Sequence, residues 1–324
     1  MPTTIGSLSE FELIARITSR LAPTHDVLIG PGDDAALLRA PDSRVVATTD
    51  LLVEGRHFRR DWSRPRDVGH KAAAQNLADV AAMGARPTGL LFGFAAPPEL
   101  PVSWAEELAE GLAAECAAAG AAVVGGDVVR ASELTLAITA LGDLAGAAPV
   151  RRGGARPGDL VAVAGRLGWS AAGLALLADP PADPADPAAA AVVAEHRRPS
   201  PPYPAGPEAA RLRATAMIDV SDGLVQDLGH IAAAGGVRVE LDSAALRPDP
   251  ELAAACALLD GADPLAFMLN GGEDHALAAS FRPGTPLPRH WRTVGRIGIG
   301  SGVLLDGSPV NPSGWDHFGR GAPG

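Results

Sequence analysis

The sequence predicts an α/β or α+β protein built from two domains. Three observations point that way. With 324 residues the chain is long enough to bury two cores. Apolar, β-branched runs alternate along its length with segments of helical composition. A basic, Gly- and Pro-rich stretch at 151–159 (RRGGARPGD) interrupts that alternation near the middle. This stretch sets the expected division into residues 1–148 and 149–324.

In the first half, Ser7-Leu8-Ser9-Glu10 has the form of a capping box, and Leu8, Phe11, Ile14, Ala15, Thr18 and Leu21 share one helical face until Pro23. Residues 27–32 read as a short strand or loop leading to Asp33 and Asp34, and 44–49 (RVVATT) as a strand that stops at Asp50. Residues 67–83 form a helix that ends at Gly84, with Pro87 beyond. Asp79 lies inside it, as a ligand or as a solvated polar-face residue. Residues 88–96 are a strand with an edge or face to cover, and 103–120 a helix capped through Ser103 and Glu106. A strand at 121–124 runs into Gly125-Gly126-Asp127, and 133–142 is another strand.

In the second half, 160–164 reads as a strand and 165–177 as a helix. The Pro-rich stretches 179–187 and 198–207 read as surface connections, too stiff for a helix interior. A helix near 208–214 precedes AMIDVSDG, residues 216–223, where a buried strand stops and Gly223 turns the chain into a helix over 224–234. Further strands are expected at 237–241, 276–281 and 292–297.

The formal net charge of -11 argues against a nucleic-acid partner, which would draw its affinity from excess basic charge. Cys116 and Cys256 lie in Ala-rich helical patterns without metal-ligand spacing, and read as small core residues of a reducing compartment. The first residues, MPTTIGSLSEF, lack a leader pattern, and no apolar run approaches the roughly 18 residues needed to span a bilayer. A soluble, cytoplasmic protein with no membrane partner is expected.

Five clusters set carboxylates beside Gly, Ser or Thr next to an apolar run: Gly32-Asp33-Asp34, Thr48-Thr49-Asp50, Gly125-Gly126-Asp127, Asp219-Val220-Ser221-Asp222 and Gly271-Gly272-Glu273-Asp274. Each alone could be a turn, or in the case of Thr48 and Thr49 a pair of strand formers. Their recurrence in one acidic chain suits hard, oxygen-liking cations. A P-loop, protein-kinase signatures, a Gly-x-Ser-x-Gly elbow and an HExxH pair are all missing from the sequence. Mg²⁺ takes one or two carboxylates plus substrate phosphates, so several half-filled sites would together form a metal-built site for a nucleoside triphosphate.

TTDLLVEGRHF (48–58), NLADVAAMGA (76–85), GGD (125–127), MIDVSDGL (217–224), GGEDHAL (271–277) and GWDHF (314–318) resemble, in order, the motifs of the thiamine-monophosphate kinase family. That family belongs with aminoimidazole ribonucleotide synthetase, selenophosphate synthetase and the hydrogenase-maturation dehydratase. The resemblance implies a two-domain aminoimidazole ribonucleotide synthetase-like fold, an N-terminal domain that dimerises through its sheet, and ATP in the interdomain cleft. It implies Mg²⁺ ions held by Asp33, Thr48, Thr49, Asp50, Asp79, Asp127, Asp219 and Asp222. ATP would meet Gly126, Arg152 and Ser221, with Arg151 an alternative to Arg152, and thiamine monophosphate would meet His57, Glu273 and Trp315. His57 could instead lie in a solvated loop, and Trp315 could pin the tail to the core. His275 stands where the family often has Tyr.

The implied reaction is transfer of the γ-phosphoryl group of ATP to the phosphate of thiamine monophosphate, with no catalytic side chain. A substrate phosphate is already mostly ionised at neutral pH, and the motifs supply many carboxylates but no histidine paired with an acid for proton transfer. The alternatives are another ATP-dependent synthetase of the superfamily, or a nucleotide- and metal-binding regulator without turnover. Both cysteines sit inside helical patterns, which fits neither selenophosphate synthetase nor the dehydratase.

Overall fold

The computed structural model describes residues 3–31, 35–181, 183 and 185–310. It splits into two compact units, one of Met1–Ala81 with Ala85–Gly146 and one of Ala82–Gly84 with Ala147–Gly324. No helix among the described residues is long and apolar enough to cross a membrane.

In the first unit a 3-10 turn (Ile5–Ser7) precedes α1, Glu10–Thr18. The capping box lies two residues later than the sequence suggested: the Ser9 hydroxyl accepts from Glu12 N–H, and the Glu12 carboxylate accepts from Ser9 N–H. The buried residues of this helix are Leu13 and Ile17, whereas Phe11, on the expected apolar face, is 79% exposed. Strands β1 (Val27–Ile29) and β2 (Leu37–Leu38) make a small antiparallel pair. The remaining elements are β3 (Val46–Val53), α2 (Pro65–Ala82), β4 (Arg86–Ala96), α3 (Val102–Ala119), β5 (Ala122–Arg130) and β6 (Thr135–Asp143). The sheet runs β3-β6-β4-β5, which puts β4 inside and leaves β3 and β5 as edges.

One face of this sheet, with Leu52, Leu90, Phe92, Phe94, Leu136 and Ile138, is buried. Helices α2 and α3 meet backbone to backbone, since a Cβ on Gly69 would stand 2.1 Å from Leu108 O and one on Gly111 2.1 Å from Arg66 O. Such contact excludes any side chain larger than hydrogen at either glycine. The other face keeps Leu51, Leu91 and Val129 exposed. Helix α3 begins at Val102 without a side-chain cap, so the expected Ser103 box does not form, and it ends on left-handed Gly120 as expected. Cys116 and Cys256 are free and buried.

The second unit opens with a 3-10 turn (Arg152–Gly154) and contains β7 (Leu160–Ala164), α4 (Trp169–Ala178), α5 (Pro187–Arg197), α6 (Ala205–Arg211), β8 (Ala216–Val220), α7 (Leu224–Gly235) and β9 (Arg238–Leu241). It continues with α8 (Pro250–Ala257), α9 (Pro264–Asn270), β10 (Ala276–Phe281), β11 (Trp291–Gly298), β12 (Val303–Leu305) and β13 (Ser308–Pro309). The sheet order is β13-β12-β9-β11-β7-β10-β8, antiparallel except where β12 runs alongside β9. Helices α5, α8 and α9 add to the elements expected from the sequence. Each starts with Pro after an N-cap Asp, and the Asp186 and Asp263 carboxylates accept main-chain N–H bonds there. Pro fits the first turn because its missing N–H would have had no partner in the helix.

Candidate active site

In the first unit, Thr48, Thr49 and Asp50 lie in the middle of β3, not at its end, because the alternating pattern continues through Leu51-Leu52-Val53. Alternation sends neighbouring side chains to opposite faces. Thr48 and Asp50 share the face of buried Leu52, where the Thr48 hydroxyl donates to the Asp79 carboxylate at 2.8 Å. This bond turns Asp79 toward the sheet. Thr49 faces the other way: its hydroxyl donates to Ile138 O at 2.8 Å and accepts from Thr139 Oγ1 at 3.2 Å.

Asp127 also sits mid-strand, in β5, opposite Gly93 of β4. A register shift between Leu90 and Leu91 places Val124 in a bulge just before Gly125-Gly126-Asp127. The Gly126 position requires glycine for a reason of packing, since a Cβ there would stand 1.9 Å from Phe92 O. Asp127 lines a groove of about 950 Å³ with Thr139, Ala137 and Leu91 from the open sheet face and Phe11 and Ile14 from α1. Pro31 and Ala35 line it too. Asp33, between them in sequence, is outside the described residues. The first unit thus joins Thr48, Asp50 and Asp79 on one face and leaves Thr49 and Asp127 on the other.

His57 closes the tight loop after β3. Its Nδ1 accepts from Val53 N–H at 3.0 Å, so in the neutral ring the proton is on Nε2.

In the second unit the AMIDVSDG and GGEDHAL segments interlock. Strands β8 and β10 pair antiparallel, Glu273 N–H donates to Ser221 O at 2.7 Å and His275 N–H to Val220 O at 2.9 Å. Glu273 and His275 both adopt left-handed backbone, at φ 63° and 52°. Ordinary residues rarely do so without surrounding contacts that enforce it. Gly223, at φ 120°, brings the Asp222 turn against α9, where a Cβ would stand 2.8 Å from Asn270 O.

Asp219 is buried at the end of β8, its Oδ2 3.4 Å from His275 Nδ1. Asp227, in the first turn of α7, accepts from the N–H groups of Asp222 and Gly223, both at 3.1 Å. Burial, then repulsion from Asp219 and Asp222, pushes its carboxyl up to about 7, against the pull of those N–H bonds. Arg152 is exposed, as is Arg151, on a turn fixed by Gly154, whose Cβ would stand 1.9 Å from Thr215 O. Trp315 lies outside the described residues.

Asp274, which the sequence sets in a cation-suited cluster, is instead a helix cap. It is fully enclosed and caps α4 from a distance, accepting from the N–H groups of Gly168 and of Ser170, the latter at 2.8 Å. Burial pushes its carboxyl up to about 7 despite these bonds, with Glu195 adding to the rise and His275 opposing it. Two histidines do lie near acids in the fold. His275 faces Asp219, and His196 Nδ1 lies 3.6 Å from Glu273 Oε2. Neither pairing is visible along the chain, because 56 residues separate the first two.

The oxygen donors of both units suit Mg²⁺. Among the described residues no three His, Cys, Asp or Glu side chains form a ready cage. A site completed by phosphate needs only one or two carboxylates, and the crowding around Asp227 is what a cation would relieve.

The model of the AIR synthase related protein N-terminal domain matches residues 32–144, and that of the C-terminal domain residues 156–279. The chain is 48% identical to a thiamine-monophosphate kinase of Mycobacterium tuberculosis, over 98% of this chain and 94% of that one. A crystal structure of thiamine-monophosphate kinase from Stenotrophomonas maltophilia superposes with a TM-score of 0.81 at 34% identity, covering 94% of this chain and 98% of that one. A structure described as AaThiL complexed with AMPPCP and TMP superposes with a TM-score of 0.78 at 32% identity, covering 96% and 97%. The chain belongs to the thiamine-monophosphate kinase family, within the AIR synthase-related fold.

Proposed function

We propose that this chain works by direct, in-line phosphoryl transfer assisted by Mg²⁺. It phosphorylates thiamine monophosphate with ATP, giving thiamine diphosphate and ADP. The observation that carries this reading is identity at nearly half of all positions over almost the whole chain.

Asp33, Thr48, Thr49, Asp50, Asp79, Asp127, Asp219 and Asp222 hold several Mg²⁺ ions. Gly126, Arg152 and Ser221 contact ATP, and His57, Glu273 and Trp315 contact thiamine monophosphate. Residues 1–148 carry nucleotide and metal binding and dimerisation, residues 149–324 complete the nucleotide and substrate site, and ATP is shared between the two. The Thr48–Asp79 bond and the acid cluster at Asp219, Asp222 and Asp227 support the metal assignment. Mg²⁺, when bound, supplies charge neutralisation between two phosphate anions and aligns them. The chain's own residues bind, orient and exclude water, and none removes a proton, because the attacking phosphate oxygen is already ionised. The exposed Leu51, Leu91 and Val129 support a homodimer formed through the open sheet face. The reaction takes place in the cytoplasm.

Asp50→Asn and Asp222→Asn test the reading, because each keeps the shape of the side chain and removes the charge. Turnover at limiting Mg²⁺ collapses in both while ligand-free thermal stability holds. Near-normal turnover in both would refute the metal assignment.

A further inference from the structure

We propose that His196 and Ser170 position Glu273, so that His196 sets the affinity for the acceptor, thiamine monophosphate, without touching it. This rests on reading Glu273 as an acceptor contact.

The main chain of Glu273 is fixed on both sides. Its N–H donates to Ser221 O at 2.7 Å, and the following residue, Asp274, is anchored by its carboxylate to the start of α4. Gly272 packs so closely that a Cβ would stand 2.5 Å from Ser221 O. The left-handed φ of 63° at Glu273 is held by these contacts. The side chain of Glu273 is 33% exposed.

His196 meets that side chain from the last turn of α5. Its Nδ1 lies 3.6 Å from Glu273 Oε2 and 3.0 Å from Ser170 Oγ in the first turn of α4. The two helices come this close because Gly173 has no side chain: a Cβ there would stand 2.2 Å from Val192 O and 2.9 Å from His196 Cβ. Ser170 is fully buried and His196 nearly so, while the Glu273 side chain that His196 faces is a third exposed. A buried hydroxyl thus fixes the ring edge, and that edge faces the carboxylate. The acceptor carries a cationic thiazolium ring and an aminopyrimidine, both complementary to a carboxylate held at one angle. Residues locked by packing commonly aim a ligand-contacting group in this way.

Steady-state kinetics on the full-length enzyme, with thiamine monophosphate and ATP varied separately, test the proposal. His196→Ala raises KM for thiamine monophosphate several-fold, about three- to tenfold, as expected for loosening the orientation of a charged contact, and leaves kcat and KM for ATP within about twofold. Ser170→Ala shifts the same constant in the same direction. His196→Asn, which keeps a polar group near the Nδ1 position, recovers part of the loss, and these two variants carry the test if His196→Ala does not fold. In a Glu273→Gln background the His196 substitution adds little. If Glu273→Gln raises KM for thiamine monophosphate but the His196 and Ser170 variants do not, or if they raise both KM values alike, the positioning role is wrong and the Glu273 reading stands. If Glu273→Gln leaves that KM unchanged, the Glu273 reading fails and takes this inference with it.

Discussion

The candidate acids of the two units are held in different ways. In the first unit Asp50 and Asp127 project from the middle of strands β3 and β5, on opposite faces of one sheet, and Asp127 borders an open groove. In the second unit Asp219, Asp227 and Asp274 are buried, and Asp227 and Asp274 accept N–H bonds that fix the Ser221-Asp222-Gly223 turn and the start of α4. Removing a first-unit acid takes away charge and little structure. Removing an enclosed second-unit acid leaves main-chain donors without acceptors, which costs stability before chemistry is reached.

The largest expected effect separates the two sets. Asp50→Asn lowers kcat by about 10²–10³-fold, in the range for losing one electrostatic element of a transition-state site, and shifts unfolding by less than about 0.5 kcal/mol. Asp274→Ala destabilises by about 1–3 kcal/mol, because Gly168 and Ser170 lose a buried acceptor. Thermal melts beside turnover assays check both. Equal stability losses in the two variants would erase the contrast.

A pH series sharpens it. The Asp274 carboxyl, raised to about 7 chiefly by burial, binds its proton more tightly folded than unfolded. Its contribution is therefore complete below the unfolded value near 4 and is lost as pH rises toward about 7. Asp274→Asn cannot titrate and flattens that part of the stability profile, whereas Asp50→Asn leaves the slope there as it was. An unchanged slope in Asp274→Asn would place the group's titration elsewhere.

Two smaller effects concern the acceptor. Trp315→Ala raises KM for thiamine monophosphate by the equivalent of about 0.5–2 kcal/mol, the worth of a cation–π contact, and leaves ATP binding nearly unchanged. An equal loss for ATP would move Trp315 out of the acceptor site. His57→Asn weakens acceptor binding and removes no ionisation from the pH profile of single-turnover transfer. Loss of an acid-limb pKa would show that His57 handles a proton.

The same contrast explains what could be read along the chain. The β8 strand and the helix after Gly223 were legible because a short apolar run and a turn glycine are local signals. The family motifs and their order were equally local. The sequence reads Asp50 and Asp127 as strand stops because an acid after an apolar run resembles a turn, yet the pattern beyond each continues the strand. Asp186-Pro187, Asp249-Pro250 and Asp263-Pro264 open helices, but out of context Asp-Pro looks the same in a turn. Asp274 as a cap and His196 beside Glu273 were out of reach, because each joins segments brought together only by the packing of α4, α5 and the β8–β10 turn.

On the proposed mechanism the terminal phosphoryl group of ATP passes directly to the phosphate of thiamine monophosphate with Mg²⁺ present and no protein base. The most direct test is a single-turnover experiment with γ-labelled ATP, thiamine monophosphate and titrated Mg²⁺, scored for labelled thiamine diphosphate and labelled inorganic phosphate. The account predicts that the label appears in thiamine diphosphate in step with ADP, that product formation rises with Mg²⁺, and that none forms when the metal is chelated. Label released as inorganic phosphate without thiamine diphosphate, or equal transfer in the presence of chelator, would contradict it.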